Sequence, residues 1–131
     1  MKKEIVIDGN RFNNIEEFYI ETERLLTKGS DIKTGHNMHA FNDILWGGFG
    51  VHEYGEPISI RWKNADKSKA DFGYEATAGY YKSILMRCDP KNAAHVKELL
   101  EDARQGRGRT LFDCIVGIIT EHVLDIELTF E

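Results

Sequence analysis

The chain has 131 residues, enough for one domain with a core of its own and little room for a second. Its 41% hydrophobic and 30% charged content is that of an ordinary globular protein. A formal net charge of −5, from 22 acidic against 17 basic residues, lacks the basic footprint of a general nucleic-acid binder and suits docking onto a basic partner.

Met1-Lys2-Lys3 leads directly into Glu4-Ile5-Val6-Ile7-Asp8, a short β-branched strand that Asp8-Gly9-Asn10 turns. Asn13 or Asn14 can cap a helix to about Leu26, with Ile15, Phe18, Tyr19, Thr22, Leu25 and Leu26 as its apolar stripe. Thr27-Lys28-Gly29-Ser30 stops it. A second, short helix follows from Asn37, a plausible N-cap. In it Met38, Phe41 and Leu45 repeat at core-facing spacing, while His36, His39 and Asp43 share a neighbouring face. Gly47-Gly48 ends it.

After a polar loop, Pro57 to Trp62 alternates as a strand, and the two intervening helices allow it to lie parallel to the first. Asn64 to Asp71 is expected to be an exposed, lysine-rich linker. Tyr74 to Cys88 is predicted helical, with Tyr81, Ile84, Leu85 and Cys88 on its buried side. Asp89-Pro90 breaks that helix, and Asn92 is expected to cap the next, which runs to about Arg104. Gln105 to Arg109 is a basic glycine loop, and Thr110 caps an apolar helix closed by Glu121-His122. Val123 to Phe130 alternates as a last strand, so trimming its end should damage the fold. Three short strands separated by helices predict an α/β domain with a mostly parallel sheet, over 1–131 as one unit.

The sharpest cluster of reactive side chains is His36, His39 and Asp43. They are reasonable transition-metal ligands, but only three are supplied locally, and no recognised metal spacing such as H-E-x-x-H is present. A metal-binding or enzymatic domain built on them stays an alternative; a solvated polar face is the simpler reading. Cys88 and Cys114 are too few for a disulfide framework and lack a nucleophile's context, which fits reduced thiols in a cytoplasmic protein. No run reaches the roughly 18 apolar residues of a membrane span. Gly47-Gly48-Phe49-Gly50 follows a helix, so no helix start aims at an anion there. Gly106-Arg107-Gly108-Arg109-Thr110 does precede a helix, without the lysine or spacing of a P-loop. Trp62 belongs to the core by its alternation. Trp46 fits either burial or an exposed binding anchor.

The stretch Gly35-His36-Asn37-Met38-His39-Ala40-Phe41-Asn42-Asp43-Ile44-Leu45 resembles the barstar family of intracellular ribonuclease inhibitors, which carries G-x-N-L-D-A-[LF]-x-D-x-L on its inhibitory helix. The Ile5 to Gly9 strand and turn, Phe12, the Phe18-Tyr19 helix, Gly47 to Gly50, Arg61 to Asn64 and the Asp125 to Leu128 strand extend the resemblance over most of the chain. Residues 67–106 would be an enlargement over compact members. The resemblance implies a three-stranded parallel sheet with packed helices and no catalysis or cofactor. It also implies a ribonuclease partner, secreted or delivered as a toxin, with no direct nucleic-acid or membrane contact.

By the same resemblance, Asp43 would enter the nuclease active site in place of a substrate phosphate, where a fixed carboxylate among basic groups makes strong charge-assisted hydrogen bonds. His39, Asn42, Trp46 and Gly47 would line the contact, and Glu121 would be a second acidic contact. His39 stands where the family usually has an aspartate, and Asn42 where compact members often have an aromatic. Losing the carboxylate at 39 points to a different cognate enzyme or to lost inhibition. A barstar-fold module with a non-nuclease partner remains a third reading.

Overall fold

A computed structural model describes residues 3–27, 37–48, 52–122 and 125–131 of the chain. The architecture is mixed α/β, as the alternation of strands and helices predicted. Strands β1 (Lys3–Asp8), β2 (Ile58–Lys63) and β3 (Ile126–Phe130) form one parallel sheet with β2 in the middle. Lys3 lies opposite Ile58, and Ile58 opposite Ile126.

Alternate side chains of a strand point to opposite faces, so this register gathers Ile5, Ile7, Ile58, Ile60, Trp62 and Ile126 on one buried face. The other face carries Glu4, Val6, Asp8, Ser59, Arg61, Lys63, Glu127 and Thr129, all exposed or half-buried. Parallel sheets are usually covered on both sides by crossover helices; here one side stays polar. Arg61 ties that side together, donating to Glu4 at 2.9 Å and to both carboxylate oxygens of Glu131 at 2.6 and 2.9 Å. The Glu131 N–H also donates to the Trp62 carbonyl at 2.8 Å, so the last residue is part of the sheet's support.

Between β1 and β2 come a 3-10 turn at Gly9–Arg11, α1 (Ile15–Leu26) and α2 (Met38–Trp46). Asn14 caps α1 by accepting the Glu17 N–H, and the Glu17 carboxylate accepts the Asn13 N–H, each at 2.9 Å. The stripe of α1 is buried at Phe18, Tyr19, Thr22 and Leu26. Phe18 stacks on Trp62 at 5.7 Å and meets Phe12 and Phe41 edge-on at 5.2 Å, joining α1, α2 and β2 in one aromatic cluster.

Four helices lie between β2 and β3: α3 (Ala65–Asp71), α4 (Tyr74–Leu85), α5 (Pro90–Arg104) and α6 (Leu111–Glu121). The Asn64–Asp71 segment is therefore not an exposed linker. Trp62 is fully buried and its indole N–H needs an acceptor, which Ser68 of α3 provides at 3.0 Å. Lys67, within that expected linker, donates to the Gly9 and Phe12 carbonyls, Asn13 and Asp71 over 2.6–3.1 Å.

α4 stops at Leu85, short of Cys88, and Tyr81, Ile84, Leu85 and Cys88 are only half-buried. Its fully buried residue is Thr77, whose hydroxyl donates to the Gly73 carbonyl at 2.7 Å and accepts the Leu111 N–H at 2.8 Å. Asp89, not Asn92, caps α5; its carboxylate accepts the Lys91 N–H at 2.9 Å, and Pro90 takes the first position, where no N–H is needed. α5 packs on α4 through Val96, Leu100 and Ala103, which lie apart from the central core.

β3 begins at Ile126, and Asp125, expected within the strand, precedes it. The His122 carbonyl accepts the Asp125 and Ile126 N–H groups, while Val123 and Leu124, also expected in the strand, lie outside the described residues. Among the described residues no helix is long and apolar enough to cross a membrane.

Candidate partner-binding site

A helix as short as α2 is marginal by itself, and this one is secured at both ends. Asn37 accepts the Ala40 N–H through its side chain at 2.8 Å and the Phe41 N–H through its carbonyl at 3.0 Å. The carbonyls of a helix's last turn lack intrahelical donors, and here three of them find one. Ile44 accepts from the Gly47 N–H at 3.2 Å, Leu45 from His52 Nε2 at 3.0 Å and Trp46 from the Gly55 N–H at 2.7 Å. The Gly48 N–H in turn donates to the His52 carbonyl at 2.7 Å. Gly47 sits at φ +97°, and a Cβ there would run into the Glu53 carbonyl, so only glycine fits the junction. The result is a helix end fastened to the 52–56 loop.

Phe41, Ile44 and Leu45 anchor α2 in the core, with Met38 half-buried beside them. The outward side carries the residues expected at a contact. His39 and Asp43, one turn apart, are both exposed, and neither has a hydrogen-bond or ion-pair partner among the described residues. Trp46 is 38% exposed, between the two fates that its position allowed. Its indole stacks with Tyr54, itself 75% exposed, at 5.9 Å and 23° between planes. Asn42 is half-buried and Gly47 buried, so Gly47 supports the surface rather than lining it.

The residue that sequence reasoning passed over is His122. It closes α6 and is only 4% exposed. Its Nε2 donates to Asn42 Oδ1 at 2.7 Å, and its ring meets the Trp46 indole edge-on at 4.4 Å. Burial holds its pKa below the ordinary 6.5, although the Asp125 and Glu121 carboxylates pull it upward. No signal in the sequence links it to Asn42, 80 positions away. Glu121 is exposed at the end of α6, beside this junction. The fold thus brings Asn42 and Trp46 together against His122, with exposed Asp43 beside them on α2, His39 a turn back, and Glu121 the residue before His122.

No family model matches the chain, and no curated protein matches it.

The site's chemistry therefore rests on its own geometry: an exposed carboxylate and an exposed imidazole along α2, and a stacked aromatic pair where the helix meets the 52–56 loop. Among the described residues no group of three or more His, Cys, Asp or Glu side chains is placed to hold a metal ion, and His36 lies outside them. The glycine-arginine loop before α6 is already committed. Thr110 and Asp113 cap each other's N–H groups at 3.1 Å, and the Leu111 and Phe112 N–H groups go to Thr77 and Phe72. Arg107 pairs with Asp102 at 3.0 Å, and Arg109 donates to the Asp113 carbonyl at 2.9 Å. No N–H of that helix start is left to face an anion.

Proposed function

We propose that the chain is an intracellular ribonuclease inhibitor or toxin immunity protein that blocks a nuclease active site with α2, Asp43 at its centre. The observation that carries this reading is Asp43 itself: an exposed carboxylate without a partner among the described residues, on a helix fastened at both ends. A carboxylate on a capped helix, with no partner among the described residues, keeps its hydrogen-bonding capacity for another molecule, and the helix mount spares part of the ordering cost of binding. The resemblance of the 35–45 stretch to the barstar inhibitory helix supplies the nuclease as partner. Net acidity supports encounter with a basic active site. His39 would face the same enzyme as a neutral or cationic contact rather than a second carboxylate, which favours a cognate nuclease different from those of compact members.

A pull-down from native extract with wild type and Asp43→Ala, followed by ribonuclease assays on what is retained, tests the reading. Wild type is expected to retain and inhibit a ribonuclease. The variant, folding normally, should bind more weakly by about 2–5 kcal/mol, the usual cost of removing one member of a buried hydrogen-bonded charge pair. Equal capture by both forms would overturn the role of Asp43. The Trp46–Tyr54 pair favours a second reading, an interaction module with a non-nuclease partner, because exposed stacked aromatics are anchors for many protein surfaces. Retained partners without nuclease activity would support that reading instead.

A further inference from the structure

We infer that His122 is a positioning residue for the contact surface: its neutral imidazole locks Asn42 and Trp46 in place, and its protonation releases them. The consequence for partner binding rests on the reading of α2 as the contact helix; the lock itself is a property of the free chain.

The geometry assigns the tautomer. Asn42 Oδ1 is an acceptor, so the 2.7 Å bond requires the proton on Nε2, and Nδ1 is left as a bare lone pair. Nδ1 is buried and has no hydrogen-bond partner among the described residues. A proton added there creates a second N–H donor, and a charge, in a position almost closed to water.

Among the described residues, the groups around the ring come from α2, α6 and the residues before β3. α2 contributes the Asn42 amide and the Trp46 indole, α6 contributes Glu121, and the turn into β3 contributes Asp125. Both carboxylates favour the cation, and an indole face attracts one as well. Burial outweighs them where the ring now sits. The protonated ring keeps its Nε2–H but carries a buried Nδ1–H with no acceptor among the described residues, so it gains by moving out toward water, and that movement breaks the Asn42 bond and the Trp46 contact together. The two side chains held by His122, at i and i+4, share the face of α2 next to the one that carries Asp43, so the lock acts beside the exposed carboxylate.

The test is a histidine titration by NMR on the free full-length protein over about pH 4.5–8. The His122 ring is expected to titrate below 6.5. The Asn42 side-chain amide and the Trp46 indole N–H signals should shift with the same midpoint. His122→Gln offers Asn42 a neutral N–H and removes the titration, so the transition at the His122 midpoint should vanish from both signals. Asn42→Asp puts a carboxylate against Nε2 and should raise the His122 proton affinity about tenfold or more, the effect of an adjacent opposite charge; this variant carries the test if the glutamine form does not fold. Asn42 and Trp46 signals that ignore the His122 midpoint, that keep the same transition in His122→Gln, or a midpoint that Asn42→Asp leaves unchanged would each overturn the lock. The absence of any ribonuclease partner would sink the inhibitor reading and leave these titrations standing.

Discussion

At the scale of single residues, the surface around α2 divides into side chains that are tied into the fold and side chains that are not. Gly47 is the most tightly constrained. Its positive φ and the Glu53 carbonyl beside it leave no room for a side chain. Gly47→Ala should cost about 1–3 kcal/mol from backbone strain alone, with further loss as the 52–56 loop is pushed off the helix end. A urea melt reads the stability, and a midpoint unchanged from wild type would mean that the junction is not the fastening described. His52 belongs to the same junction, its Nε2–H satisfying the Leu45 carbonyl from a fully enclosed position. Asp43 and His39 are the opposite case, since nothing described in the chain depends on them.

At the scale of elements, α5 stands apart. Its buried residues Val96, Leu100 and Ala103 pack on α4, outside the cluster that holds the sheet, α1, α2 and α6 together. An element packed chiefly on one neighbour loses fewer contacts on opening than one embedded in the core. Amide hydrogen exchange should therefore be faster in α5 than in β2, where Ile58, Ile60 and Trp62 are fully buried between two paired strands. Equal protection would place α5 inside the cooperative core. The same contrast explains what the sequence revealed. The strands and α1, α2 and α6 announce themselves because each presents an apolar face at strand or helix spacing to a common core. α3 does not: seven residues with two lysines resemble a solvated loop, and only the need of Trp62 for an acceptor makes Ser68 a buried residue. Thr77 was hidden likewise, its burial set by the start of α6 far along the chain. The exposed side of α2 was legible from local spacing, whereas His122 was not, because its bond to Asn42 is created by the fold.

At the scale of the whole molecule, acid should act in two steps. His122 has its pKa lowered by burial, so the fold favours its neutral form; that contribution is complete above 6.5 and is lost as the pH falls below it. Asp8, Glu56 and Glu131 also lie below their ordinary values, held there chiefly by the Asn10 N–H, the Glu53 N–H and Arg61 respectively. Their contribution is present above the ordinary 3.8 for Asp and 4.5 for Glu, and fades only as the pH falls through those values and lower. The melting temperature against pH should therefore decline first below neutrality and again in stronger acid, and His122→Gln should remove the first decline alone. A single acid transition, the same in both forms, would contradict this. The division of α2 into tied and untied residues also bears on descent. Substitutions at positions 39 and 43 disturb no described bond within the chain, so mutation can redraw the outward chemistry while leaving folding intact. Lineages could exchange one partner for another through a few such steps, with Asn42, Trp46 and Gly47 held back by the scaffold they complete.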